Sequence, residues 1–184
     1  LRRIGKIDIA EFLPILGAPE TRFYRNKLEF GFSNKRWVLE GEFSKDVEYP
    51  PVSLYGLGFH KAGFFDKIID IQKCWLQAEP SNLLRNTCKQ IALDQELEFY
   101  DPRHHKGFLR NLMVRLTTTG ELMLLVSFAQ NRPEAIARYL DAILEKFPEM
   151  TTLVYCINTK LNDSMFDLDI HTYRGKGYVI EQLG

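Results

Sequence analysis

Twice along the chain the spacing of apolar residues changes from a period of two to steps of three and four, and this pattern restricts the fold most. Residues 24–32 alternate like a half-buried strand, whereas the apolar positions from Pro80 onward follow one face of a helix. A second strand pair flanks Thr119-Gly120, and a second helical stripe follows Pro133. Because strands outnumber helices and connect mainly through hairpins, the sequence predicts an α+β fold, with a mostly antiparallel sheet and two main helices packed on one face.

The predicted strands and helices follow these landmarks. A helix of about five turns is expected to begin at Pro80 or Ser81, and a second helix covers residues 131–147. Strands are predicted between turn-rich stretches, at 24–32, 36–43, 53–59, 67–71, 107–118, 121–129, 151–157, 169–173 and 177–181. Residues 41–57 contain several turn formers and are predicted to be a mobile insertion.

Length and composition favour a single globular domain. The chain has 184 residues, of which 45% are hydrophobic and 26% charged. It opens on Leu1 rather than Met and stops at Gly184 directly after a strand-like stretch, which favours a fragment of a longer protein. No apolar run approaches the roughly 20 residues that span a bilayer, so no membrane partner is expected. Three scattered cysteines fit neither a disulfide framework nor a metal clip, and they favour a reducing, cytoplasmic compartment.

The net charge is zero, but the charges are unevenly distributed. The 24 basic and 24 acidic residues balance, which argues against a generic polyanion binder. Bases cluster in residues 1–37 and 103–115, whereas acids cluster in residues 141–170. Two basic patches on a neutral body are able to contact a phosphate backbone locally. An ordinary solvated surface explains the same pattern, so charge alone leaves both interpretations open.

No complete catalytic, cofactor or metal site can be assembled from the sequence. His104 and His105 lack a third ligand at metal-binding spacing, and the cysteines occupy strand or helix positions typical of buried thiols. Glycines in residues 56–63 and 174–178 do not follow the order of a dinucleotide-binding loop. They do give backbone freedom beside basic residues, where a phosphate can approach closely, and nearby aromatic rings are able to stack on unpaired bases.

Several short motifs occur in a characteristic order. The chain carries YRNKLEF at 24–30, GFHKAG at 58–63, and a segment at 69–76 that runs from IDI to CWL. It continues with GFLRNLMVR at 107–115 and closes with GKGYVIEQLG. In this combination the sequence resembles the RNA (uracil-5-)-methyltransferase family of the ribosomal RNA type, from about Pro14 to the end. The resemblance is to the central domain only.

The resemblance implies that the chemistry lies in other parts of a longer protein. Family members carry, before this region, a cysteine cluster that in many holds an iron-sulfur centre, often with a small β-barrel. After it they carry a Rossmann-like domain that binds S-adenosylmethionine and holds the catalytic Cys and Glu. In the family a Cys thiolate attacks uracil C6 and the methyl group enters at C5, and no cysteine here matches that nucleophile. The resemblance therefore implies an inactive, cofactor-free RNA-positioning domain within an active methyltransferase.

The expected partners are RNA, ribosomal rather than transfer, and the flanking domains of the same chain. The GFHK segment is placed nearest the RNA by the resemblance, with His60 standing where many relatives have Arg. The predicted RNA-binding residues carry positive or polar heads on a strand face or near glycines: Arg25, Asn26, Lys27, His60, Lys61, Arg110 and Arg115. Two alternatives remain open: a stand-alone RNA-binding or ribosome-associated module, and a small hydrolase built on His104 or His105, which lacks an orienting carboxylate motif.

Overall fold

The computed structural model describes residues 2–44 and 46–183. It contains three α-helices, α1 (Arg2–Gly5), α2 (Ser81–Asp94) and α3 (Pro133–Lys146), and a 3₁₀ turn at Pro51–Leu54. The seven strands are β1 (Lys27–Ser33), β2 (Gly56–His60), β3 (Ile68–Asp70), β4 (Leu109–Leu116), β5 (Leu122–Phe128), β6 (Thr152–Ile157) and β7 (His171–Gly175). They form one sheet in the order β3-β2-β1-β4-β5-β6-β7.

The α+β class is confirmed, but the sheet is mixed. Of the six strand pairings among the described residues, five are antiparallel, and β5 pairs with β6 in parallel. The reason is that α3 connects β5 to β6 and carries the chain back to the starting edge, as a parallel pair requires. The predicted hairpin between β4 and β5 is present, with Gly120 at a φ of +85° and its N–H donating to Thr117 O at 3.1 Å.

The helices α2 and α3 pack on the same face of the sheet. Alternation along β1 directs Leu28 and Phe30 into this core. The apolar stripe of α2 buries Cys88, and the Tyr139 hydroxyl of α3 donates to the Cys88 carbonyl at 3.0 Å. This hydrogen bond satisfies a polar group inside the interface between the two helices.

Several predicted boundaries differ from the structure. Residues 36–43 form no strand, because only Arg36 makes a bridge to Ile68 before the chain turns at Gly41, whose φ is +80°. The 53–59 segment begins as the 3₁₀ turn and becomes a strand only at Gly56. Helix α2 has 14 residues, about four turns rather than five. No strand forms at 177–181.

The predicted insertion at 41–57 is only partly described, because Lys45 lies outside the described residues. Its described part contacts itself and the sheet edge. The Phe43 and Tyr49 rings lie 4.2 Å apart, and Glu42 pairs with Arg36. Its mobility stays a prediction.

The opposite face of the sheet is covered only in part. A small apolar cluster of Leu125, Val154 and Cys156 lies there, with Met165 and Leu168 packed against it. These two residues belong to the connection between β6 and β7. The face above β1, β2 and β4 is left open, and this exposed region contains the candidate site.

The core on the helix side predicts where the fold is most sensitive. Leu124 in β5 is fully buried, so Leu124→Ala is expected to lower the free energy of unfolding by about 2–5 kcal/mol through lost burial and a residual cavity. Leu83→Ala is the matched control, because Leu83 is 60% exposed on α2, and it is expected to change stability by less than about 0.5 kcal/mol. Urea unfolding of both variants checks the difference, and equal losses would contradict this description of the core.

Candidate functional site

A cleft of about 680 Å³ lies on the open face of the sheet, above β1, β2 and β4. The cleft reaches the backbone of β1 at Gly31, which has no side chain. A Cβ atom at this position would lie 2.9 Å from Ile68 Cδ1 and 3.5 Å from His60 Nε2. Two loops form the walls, at residues 100–105 and 161–163. The polar and aromatic groups that face the cleft include Ser33, His60, Phe65, Arg103, His105 and Asn111.

Arg110 forms one wall from within the fold. A register shift between β4 and β5 occurs at this residue, and its side chain is buried, with 3% of the residue exposed. Its guanidinium donates to four oxygens beyond β6: the carbonyls of Asn158 at 2.8 Å, Lys160 at 2.6 Å and Asn162 at 3.0 Å, and the Asp163 carboxylate at 2.7 Å. Arg110 therefore fixes the 158–163 loop rather than occupying the outward position expected from the sequence.

Asp101 organises the opposite wall. Its carboxylate accepts hydrogen bonds from Lys35 at 3.0 Å and Asn34 at 3.2 Å, and it contacts His104 Nδ1 at 2.9 Å. Burial alone would raise the pKa of Asp101, but the hydrogen bonds from His104, Lys35 and Asn34 outweigh it and lower the pKa. The carboxylate thus stays ionised and holds the 101–106 loop against the end of β1.

Arg103 and His105 place cationic and polar groups at the mouth of the cleft. Arg103 Nε contacts the Asp66 carboxylate at 2.5 Å, and this hydrogen bond lowers the pKa of Asp66 against the opposing effect of burial. The Arg103 guanidinium also lies 5.2 Å from the centre of the Phe65 ring. His105 has a φ of 52°, and its Nδ1 lies 3.2 Å from the Tyr100 hydroxyl. Both side chains are therefore restrained by neighbours.

The described residues contain no group of three or more His, Cys, Asp or Glu side chains arranged to hold a metal ion. All three cysteines are unpaired and buried. Burial raises the pKa of the Cys88 thiol to about 12 and also raises that of Cys156. A buried, protonated thiol is a poor nucleophile. In the part of the chain that the structure describes, no helix is long and apolar enough to cross a membrane.

The seven residues predicted to bind RNA fall into separate regions. His60 and Arg110 share the cleft. Lys27 and Arg115 lie opposite each other on β1 and β4, at the far end of β1. Lys27 lies four residue steps from Gly31, which is a rise of about 13 Å.

The remaining predicted residues lie outside the cleft. Lys61 directly follows β2, but it does not line the cleft. Its Nζ lies 5.1 Å from the centre of the Trp37 ring. Asn26 Nδ2 donates to Glu181 at 3.4 Å, and Arg25 is exposed just before β1.

Some residues of the cleft were not predicted. Asn111 is one: its Oδ1 is buried and finds no hydrogen-bond partner among the described residues, and the same holds for Arg110 Nε. An asparagine within the apolar strand segment 109–116 is a visible signal, because a polar side chain in a half-buried strand needs a partner. Asp66 gave no such signal, since its partner Arg103 comes from a distant part of the chain, and neither did the contacts of Asp101 with Asn34 and Lys35. The contact of Asp101 with His104 is local, and it supplies the carboxylate beside this histidine that the sequence pattern did not reveal.

Comparison with known proteins identifies relatives along the whole chain. No protein-family model matches. A protein from Bacteroides thetaiotaomicron named as an uncharacterized RNA methyltransferase is 45% identical over 186 residues, which cover all of this chain and 40% of that protein. Similarly named proteins from Porphyromonas gingivalis and Chlorobaculum tepidum are 43% and 34% identical, again over all of this chain. The chain is homologous to part of the RNA methyltransferases. The relationship indicated by the sequence motifs is thereby confirmed, and the chain spans about 40% of the length of these curated relatives.

A solved structure shows the same fold. The Pyrococcus abyssi tRNA (uracil-54, C5)-methyltransferase, determined in complex with S-adenosyl-L-homocysteine, matches with a TM-score of 0.62 and 18% sequence identity. The match covers 90% of this chain and 34% of that one. At this identity the likeness establishes the arrangement of strands and helices.

The hydrogen bonds of Arg110 predict that its side chain stabilises the fold more than the side chain of Arg115, which lies on the same strand. Arg110→Gln is expected to lower the free energy of unfolding by about 2–4 kcal/mol, because buried carbonyl groups lose a charged donor. Arg115→Gln is the matched control, since no hydrogen bond or ion pair engages the Arg115 side chain in the described residues, and a loss below about 1 kcal/mol is expected. Urea unfolding distinguishes them; similar losses would show that Arg110 does not hold the 158–163 loop.

The lowered pKa of Asp101 predicts a dependence of stability on pH. Ionised Asp101 contributes stability above the ordinary aspartate pKa of about 3.9, and the contribution is lost as the pH falls through the lower folded-state value. Asp101→Asn is therefore expected to be about 1–3 kcal/mol less stable than the unmodified chain at about pH 7, with the difference narrowing towards about pH 2. Asp169→Asn, at an exposed carboxylate, serves as the control. Denaturant unfolding of each variant at several pH values in this range measures the effect. A difference in the free energy of unfolding between Asp101→Asn and the unmodified chain that does not change with pH would contradict the lowered pKa of Asp101.

Proposed function

We propose that this chain is the RNA-positioning part of an S-adenosylmethionine-dependent methyltransferase that forms 5-methyluridine in RNA. The observation that carries this proposal is that the whole chain is homologous to about 40% of the length of proteins named RNA methyltransferases. The uracil-C5 position is supported by the order of the sequence motifs and by the name of the structural neighbour. The motifs favour ribosomal RNA as substrate, whereas that neighbour acts on tRNA, so transfer RNA is the competing substrate.

The cleft supports the positioning role. His60, Arg103 and His105 place basic or polar groups around its mouth, and Phe65 adds an exposed aromatic ring. Unpaired bases of RNA are commonly bound by such rings, while cationic groups contact the phosphates. Asn111 and Arg110 also line the cleft, although Asn111 Oδ1 and Arg110 Nε are buried and have no hydrogen-bond partner among the described residues.

The methyl-transfer chemistry is assigned to the rest of the parent protein. S-adenosylmethionine supplies the methyl group when it is bound, and the neighbour's complex with S-adenosyl-L-homocysteine supports its use in the family. The residues described here do not fit an iron-sulfur cluster, because Cys74, Cys88 and Cys156 lie in separate buried positions and such clusters take four thiolates. An iron-sulfur centre, if the parent has one, therefore belongs to other segments. A cytoplasmic location is part of the same proposal.

The proposal predicts a separation of substrate binding from cofactor binding. In the full-length protein, His60→Ala and Lys61→Ala are expected to raise the KM for RNA about tenfold each, because each removes a polar or cationic group beside the cleft; tenfold corresponds to about 1.4 kcal/mol. Affinity for S-adenosylmethionine is expected to stay unchanged. Steady-state methylation kinetics across a salt series, with calorimetric titration of the cofactor, measures both quantities.

Controls make this test specific. Lys146→Gln removes an exposed positive charge on α3, away from the cleft, and is expected to leave the KM for RNA unchanged. The 184-residue chain by itself is expected to show weak, salt-sensitive RNA binding and no saturable binding of S-adenosylmethionine. If His60→Ala and Lys61→Ala have unchanged kinetic parameters at every salt concentration, the GFHK segment is only a structural turn. The alternative is a stand-alone RNA-binding module. It predicts that the full-length protein binds RNA but has no methyltransferase activity.

A further inference from the structure

A second cationic surface lies before the first residue of β1, at the opposite end of that strand from the cleft. Arg22 and Lys73 both lie against the indole of Trp75, with the Arg22 Cζ 4.4 Å and the Lys73 Nζ 4.0 Å from the ring centre. The Phe23 ring is 5.8 Å from the Trp75 ring, tilted by 40°. We call these four residues the Trp75 patch.

The Trp75 patch is held in place by the backbone. Phe23 N–H donates to the Trp75 carbonyl at 2.7 Å, and Arg25 N–H donates to the Leu76 carbonyl at 2.9 Å. The buried Gln77 amide adds a bond to Asn26 O at 3.0 Å. These bonds fix the 22–26 segment against residues 74–77, so the side chains of the patch are presented from an ordered surface.

Among the residues that the structure describes, no carboxylate neutralises the charges of the patch. Lys27, Lys35 and Lys89 each form an ion pair at 2.6–3.0 Å. In the described part of the chain, no carboxylate pairs with Arg22 or Lys73. Contact with the indole attracts each cation, but it leaves both positive charges uncompensated, each within 4.4 Å of the centre of the same ring. This arrangement favours an anion that contacts both.

The aromatic rings indicate which anion fits. Trp75 is 45% exposed and Phe23 is 46% exposed, so both rings offer surface to a planar ligand. Single-stranded nucleic acid combines phosphates with planar bases, and proteins that bind it pair cationic grooves with aromatic rings. An acidic peptide would match the charges but would leave the rings without planar partners. The observations therefore favour RNA over an acidic protein surface.

We propose that the Trp75 patch is a second RNA-binding site, which takes an unpaired segment of the same substrate that the cleft binds. Arg22 and Lys73 contact phosphate, and a neighbouring base packs against the exposed parts of the Phe23 and Trp75 rings. The inference rests on the proposed function, because it assumes an RNA substrate. Since β1 separates the two sites by about 20 Å and a stacked strand rises 3.4 Å per nucleotide, about six nucleotides connect them.

The test uses the 184-residue chain and a fluorescein-labelled uridylate 12-mer. The double variant Arg22→Gln/Lys73→Gln is expected to bind at least fivefold more weakly, with the slope of log K against log salt reduced by about 1.4, since each lost phosphate contact on a single strand accounts for about 0.7. Arg138→Gln/Lys146→Gln on α3 removes the same charge from an exposed surface and is expected to change neither quantity.

The contribution of the ring is tested separately. Trp75→Leu is expected to weaken binding of the 12-mer at least fivefold, whereas Trp75→Phe keeps an aromatic ring and most of the affinity. Neither variant is expected to change the affinity of the chain for poly-L-glutamate, which has charges but no bases. Thermal melting followed by circular dichroism identifies any variant that fails to fold, and the double charge variant then decides the question.

The outcomes separate this inference from the proposed function. If the unmodified chain binds no RNA, both fall. If His60→Ala weakens binding and the patch variants bind like the unmodified chain, only the inference is wrong. If Trp75→Leu weakens the binding of poly-L-glutamate and of RNA equally, the patch is a site for acidic proteins, which also overturns the inference. A drop in melting temperature with unchanged affinity would show that the cations only brace the 22–26 segment.

Discussion

The pairing of β1 with β4 is the contact on which the rest of the structure depends. It joins residues about 80 positions apart, from Lys27 opposite Arg115 to Gly31 opposite Asn111, and it places both strands at the centre of the sheet. Because side chains alternate across a strand, this one register directs Leu28 and Phe30 into the helix-covered core. The same register places Lys27, Gly31 and Asn111 on the other face. A shift by one residue would exchange the two sets.

The open face becomes a site because distant polar groups shape it. Arg110 fixes the 158–163 loop through four acceptors, and Asp101 fixes the 101–106 loop through Lys35 and Asn34. Charge-assisted hydrogen bonds are stronger than neutral ones, and both sets are buried or half-buried. Arg110 therefore serves the architecture, whereas His60, Arg103 and His105 are the exposed basic groups of the cleft.

The balanced net charge is consistent with a protein that contacts RNA at a few restrained points. Many of its cations are engaged by carboxylates, as Lys35, Lys89 and Arg103 are. The chain is homologous to about 40% of the length of proteins named RNA methyltransferases, and the proposed function assigns substrate contacts to this part. Restraint of the cleft and of the Trp75 patch by hydrogen bonds would reduce the ordering cost of the proposed RNA binding.

The sequence by itself determined the local structure and the relationship to RNA methyltransferases. The alternation at 24–32, the helical stripes after Pro80 and Pro133 and the turn at Gly120 each report the environment of neighbouring residues, so they predicted β1, α2, α3 and the hairpin. Motif order identified the relatives, since it needs no coordinates. Only the tertiary structure decided which distant groups meet: that β6 pairs in parallel, that Arg110 is buried by a loop some 50 residues away, and that Arg22 and Lys73 share one indole. The physical reason is that periodicity shows which side of an element a residue occupies, whereas its partners depend on register and on loops that bring remote acceptors within hydrogen-bond distance.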